Sequence, residues 1–144
     1  MTDKYVITRE DYDAITGITI VTINTHIGQF TGTTKIDEID AEYPSVFQGH
    51  EIALAKALRK YAAAACIVLK NEIKTLSSMI KQAFTHSSKV THPIKIMIST
   101  RKEKQKELEL WKRRIEVLSQ RITNRIATRD RLVKKYSEKK DQQD

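Results

Sequence analysis

The run Leu108–Ile122, LELWKRRIEVLSQRI, decides how the chain reads. Leu108, Trp111, Ile115, Leu118 and Ile122 follow one another at steps of three and four. That spacing places all five on one face of a helix, as in a coiled-coil seam. The seam continues best through Ile126, Val133 and Tyr136, with an added step of four after Ile122 that resembles a stutter. Arg129 then falls in the seam, where it is expected to reach solvent. This helix is predicted over residues 94–139.

A second helical pattern precedes it. Ile52, Ala55, Leu58, Ala62, Ala65, Leu69, Ile73, Leu76, Ile80 and Ala83 recur at steps of three and four, predicting a helix over 49–85. The alanines at 62–65 permit close approach by another helix. Thr85 to Pro93 reads as a loop, so the two helices form an antiparallel hairpin. Residues 15–24 are β-branched, with Ile18 and Ile20 on one side of a strand and Val21 and Ile23 on the other. With Gly28 and Gln29 as a turn and Phe30 to Ile36 as a return strand, residues 15–36 read as a β-hairpin. Tyr5 to Ile7 suggest a short strand or turn. A lone hairpin is marginal in water and must pack on a helix or another strand.

The predicted fold is mainly α: an N-terminal β-hairpin, then a long antiparallel two-helix hairpin that self-associates. Division by composition gives 1–48 as an acidic head with connector, and 49–144 as a basic helical body, within one structural unit. Residues 1–51 carry nine acids against three bases, and residues 94–144 carry eight acids against sixteen bases. The net charge of +8 therefore sits on the helices. Two helices leave part of each apolar stripe uncovered, so a dimer through Leu108, Trp111, Ile115, Leu118 and Ile122 is expected.

Chemistry-bearing patterns are sparse. Cys66 is the one cysteine and lies among alanines, where a small buried hydrophobe is the natural reading. His26, His50, His86 and His92 lack metal-ligand spacing. Gly28 to Gly32 lack the Lys-Ser/Thr of a phosphate-binding loop. Asp37, Glu38, Asp40 and Glu42 read as an exposed connector rather than a cation loop. No nucleophile, base and oxyanion hole assemble. A non-enzyme without cofactor or metal is expected. With no signal-peptide pattern and no run of roughly 18 apolar residues, a cytoplasmic protein without a membrane partner is expected.

Binding chemistry concentrates in the second helix. Arg113, Arg114, Arg121, Arg125, Arg129, Lys134 and Lys135 form a basic tract suited to nucleic acid or an acidic protein. Arg121, Arg125 and Arg129 recur every four residues, as one stripe. Tyr61, Trp111 and Arg114 are candidate anchors, since such residues dominate binding hot spots; for Trp111 a core position is the stronger reading.

The segment Gly28-Gln29-Phe30-Thr31-Gly32-Thr33-Thr34-Lys35, an acidic connector, and Gly49-His50-Glu51-Ile52-Ala53 with Ala55 and Ala57 resembles a family of small phage and prophage proteins of Gram-positive bacteria. The likeness spans roughly residues 16–60. It departs at Ile36-Asp37-Glu38, where that family often carries Cys or Ser and then Pro. It implies a phage accessory protein in a bacterial host cell, of a kind that often binds and disables a host factor or defence system. Three functions follow as expectations: inhibition of a host protein by stoichiometric binding, binding of nucleic acid, or a structural coiled-coil role in an assembly.

Overall fold

A computed structural model describes residues 4–35, 45–86 and 89–143. Three strands, β1 (Tyr5–Asp13), β2 (Ile18–Thr25) and β3 (Gly28–Lys35), precede two helices, α1 (Ser45–His86) and α2 (His92–Gln143). The strands form one antiparallel sheet in the order β1-β2-β3. The two long helices pack against each other, as their patterns require. The predicted connector acids Asp37, Glu38, Asp40 and Glu42, with Pro44, lie outside the described residues, as do the side chains of Val133 and Tyr136.

The predicted hairpin is thus two strands of a three-stranded meander. Tyr5 to Ile7 open a full nine-residue strand. The β1–β2 turn is built by Asp13, whose Oδ1 accepts from the Ile15 and Thr16 amides at 2.9 and 3.4 Å. Gly17 closes it at φ 71°, its amide donating to the Asp13 carbonyl at 2.7 Å. These amide donors stabilise the Asp13 carboxylate and hold its pKa below the ordinary 3.8. The β2–β3 turn sits at His26 and Ile27, since Thr25 pairs with Gly28. Gly28, at φ 137°, is already the first residue of β3.

Packing divides the chain differently from its composition. One compact unit is helical and covers 62–114; the other joins the residues up to Tyr61 with those from Ile115 onward. The first turns of α1 and the second half of α2 therefore belong with the sheet.

In the sheet unit, β2 alternates as predicted. Thr19, Val21 and Ile23 are buried, while Ile18, Ile20 and Thr22 on the opposite face are half-exposed. The buried face lies on α1. Gly32, opposite Val21, meets the helix backbone so closely that a β-carbon there would stand 1.8 Å from the Ala53 carbonyl oxygen. Ala53 and Ala57, both fully buried, supply the matching small side chains. Close approach thus occurs between α1 and a strand at Ala53 and Ala57. Ile52, Leu58, Tyr61, Leu118 and Ile122 complete this core. Full burial of each large aliphatic side chain contributes roughly 1.5–3 kcal/mol.

The two edges of the sheet differ. On β3, Lys60 donates to the Thr31 carbonyl at 2.7 Å and Lys56 to the Thr33 carbonyl at 3.2 Å. These lysines cap edge carbonyls that would otherwise invite another strand. On β1, pairing slips at Thr8, between Ile7 and Arg9, and a bulge of this kind interrupts the edge.

Thr19 is 2 % exposed and, among the described residues, its hydroxyl has no hydrogen-bond partner. A buried unpaired hydroxyl costs about 1–3 kcal/mol. Thr19→Val is therefore expected to match or exceed wild-type stability in urea titration. A loss above about 1 kcal/mol would show that the hydroxyl is partnered after all.

In the helical unit, Ala62, Ala65, Cys66, Leu69 and Ile80 of α1 and Ile94, Leu108 and Trp111 of α2 are buried. Glu72 pairs with Lys104, and Arg101 donates to the Ser77 hydroxyl at 3.3 Å. α2 opens at His92, with Pro93 in its first turn, where a missing amide costs nothing, and Lys95 donating to the Thr91 carbonyl at 3.0 Å. Burial pushes the Cys66 thiol pKa up, against the pull of Lys70 and Lys112. Folded Cys66 is expected to resist alkylation near neutral pH and to react at an ordinary rate in denaturant; equal rates would contradict its burial. Stability gained from the buried thiol is present below its ordinary pKa of 9.0 and is lost as pH rises through the higher folded value.

Candidate binding surfaces

The predicted self-association seam is closed inside a single chain. In the helical unit Leu108 and Trp111 are 9 and 3 % exposed. In the sheet unit Leu118 and Ile122 are 1 and 5 % exposed, and Ile115 is half-buried. The two-helix hairpin covers these side chains itself, so they leave no naked stripe that demands a dimer.

The anchors behave likewise. Tyr61 is 1 % exposed, stacks on Phe30 with centroids 5.7 Å apart, and places its hydroxyl 3.1 Å from His26 Nδ1. Trp111 is core, and Arg114 is half-buried with its own interactions. The periodic apolar positions marked the core; the residues able to meet a partner lie off that period. In the helical unit Ile67, Met79, Phe84, Val90, Ile96 and Leu110 are 43–60 % exposed. Met79 and Phe84 lie in the last turns of α1, Val90 in the connection and Ile96 near the start of α2. All four lie within about two helical turns of the chain reversal. The readable signal was apolar residues out of phase with the seam.

The three stripe arginines diverge. Successive steps of four exceed a full helical turn by about 40° each, so such a row winds around the helix. Arg121 is exposed. Arg125 is half-buried and its Nη1 donates to Gln48 Oε1 at 3.4 Å. Arg129 turns inward, with only 14 % of its side chain exposed, and its Nη1 donates to the Thr34 hydroxyl at 3.2 Å. Among the described residues its Nε has no hydrogen-bond partner and stands 3.9 Å from Asp130 Oδ1. Two of the three thus tie α2 to α1 and to β3, and Arg129, expected to be partly or wholly solvated, keeps only a small part of its side chain in solvent. Burial, with Arg59, Arg129 and Lys60 nearby, lowers the Lys56 pKa.

The remaining basic candidates, Arg113, Lys134 and Lys135, are exposed, and so is Arg131. From 117 to 135, α2 presents an outward face without a carboxylate. Gln120, Asn124, Thr128, Arg131 and Lys135 follow it at three- and four-residue spacing, with Arg121 beside Gln120. The region's acid, Asp130, points to another side by helical phase. Two shallow depressions run along this face, one lined by Val117, Arg121 and Asn124 among others, one by Thr128, Arg131, Leu132 and Lys135.

The histidines do not converge. His50 Nε2 meets Glu10 at 3.0 Å and His26 meets Tyr61, while His86 and His92 are exposed. Among the described residues no group of three or more His, Cys, Asp or Glu side chains is placed to hold a metal ion. No described helix is long and apolar enough to cross a membrane. Compared with family models, curated proteins and solved structures, the chain matches none.

Proposed function

We propose that this is a phage accessory protein that acts in the host cell by stoichiometric binding to a host protein, occluding a surface that the host factor needs. One observation carries the reading. The reversing end of the helical hairpin exposes Met79, Phe84, Val90 and Ile96, each more than 40 % accessible, in a unit whose core is already filled. Several exposed apolar side chains near one end of a helical hairpin support a protein-binding reading. Phe84 and Met79 are the anchors by side-chain type, since aromatic and methionine side chains are enriched in interface cores. The occlusion mechanism needs no catalytic group, and phage context enters through the resemblance of residues 16–60.

Expression in the host tests it. The wild-type protein is expected to slow growth or to restore plating of a phage under host restriction. Met79→Ser with Phe84→Ser is expected to abolish that effect while leaving the helical content and melting curve unchanged, since exposed substitutions shift stability by about 0.5 kcal/mol or less. A fully active double variant would overturn the assignment of this surface.

A further inference from the structure

A second surface, in the sheet unit, is chemically unlike the first and independent of it. We infer that the outward face of α2 from Val117 to Lys135 binds duplex nucleic acid, with the helix laid along a groove. The polar side chains described there are amides, a hydroxyl, guanidinium groups and an ammonium, with no carboxylate among them. These are the groups that read base edges and phosphates: Arg to guanine, Asn and Gln to adenine, Thr to either, Arg and Lys to phosphate oxygens.

The row is partly held in place before any ligand arrives. Gln120 Nε2 donates to Asn124 Oδ1 at 2.9 Å, Thr128 Oγ1 donates to the Asn124 carbonyl at 2.9 Å, and Arg131 Nη2 reaches Thr128 Oγ1 at 3.4 Å. Adjacent side chains thus brace one another, lowering the entropy lost on binding. Arg125 and Arg129 contribute differently: held by Gln48 and Thr34, they anchor the reverse side of this helix. The face extends about 28 Å along the helix, and a major groove about 12 Å wide admits a helix.

Composition also argues against other occupants. Val117 and Leu132 are the apolar side chains on the face, and it carries no aromatic residue, so it lacks the aromatic anchors common in protein hot spots. It equally lacks the stacking platforms that hold single strands. A second copy of the same face would meet it with like charge.

The test uses the full-length protein and fluorescence anisotropy with a labelled 20-base-pair DNA duplex, the matching single strand, and a polyglutamate peptide as competitor. Expected are binding of the duplex in preference to the single strand and a slope of log affinity against log salt of about −3, from three to four neutralised phosphates. Arg121→Glu, Arg131→Glu and Lys135→Glu together are expected to lower affinity more than tenfold. Lys102→Glu with Lys106→Glu, exposed on the helical unit, is expected to leave it unchanged. Circular dichroism confirms that both variants fold. No duplex binding at low salt, equal loss in the two variants, or stronger binding of single strand or polyglutamate would overturn the inference. Failure here leaves the host-protein reading intact, because that reading rests on Phe84 and Met79.

Discussion

Gly32→Ala is expected to destabilise the sheet unit by roughly 3 kcal/mol or more, at or beyond the upper end of ordinary overpacking costs. The added β-carbon would fall 1.8 Å from the Ala53 carbonyl oxygen and 2.7 Å from the Ala57 nitrogen. Both atoms belong to helix backbone, so no side-chain rotation relieves the overlap; α1 must lift off β3. Lifting it uncovers Val21, Ile23 and Ile52, all fully buried, and strains the Lys56 and Lys60 bonds to the β3 carbonyls. Urea titration followed by circular dichroism reads the loss, and hydrogen exchange should localise it to β2 and β3. Gly28→Ala supplies the contrast. Nothing lies within 4 Å of its β-carbon position, so its cost is backbone strain alone, about 1–3 kcal/mol at φ 137°. A Gly32→Ala protein as stable as wild type would contradict the packing of α1 on the sheet.

Trp111→Ala carries the other large effect, about 3–5 kcal/mol, through lost apolar burial and the cavity left behind. The neighbouring Leu110→Ala, at a position 45 % exposed, is expected to stay within about 0.5 kcal/mol. The pair separates two accounts of the seam. If Trp111 is covered by its own chain, the loss is the same across roughly a hundredfold range of protein concentration. If a second protomer covers it, the wild-type midpoint rises with concentration and the variant's does not.

The helices were legible because their apolar period is sustained over many turns. Their predicted limits, 49–85 and 94–139, fall within a few residues of Ser45–His86 and His92–Gln143. The faces of β2 were legible for the same reason at period two. β1 was not, since every residue from Val6 to Asp11 is exposed and the strand has no alternation to read. Gly32 falls within the predicted return strand without a packing signal, yet it is the contact that seats α1; close backbone approach leaves no periodic signal, only a glycine opposite alanines. The arginine row misled because a four-residue repeat was taken as one stripe. The about 40° drift at each step carries Arg129 from the surface into the protein. The helix pattern also could not tell whether the seam faced its own chain or a copy, because apolar period is silent on what covers it. The exposed apolar residues proposed as anchors, Met79, Phe84 and Ile96, were left aside because attention to periodic residues selects the core.

Affinity capture of the tagged full-length protein from nuclease-treated host lysate, in parallel with the Met79→Ser, Phe84→Ser variant, tests whether the hairpin end binds a host protein. The account predicts one host protein retained in fixed stoichiometry by the wild type, insensitive to nuclease and lost from the variant. Capture of that protein equally by both, or of no protein once nucleic acid is digested, would contradict it.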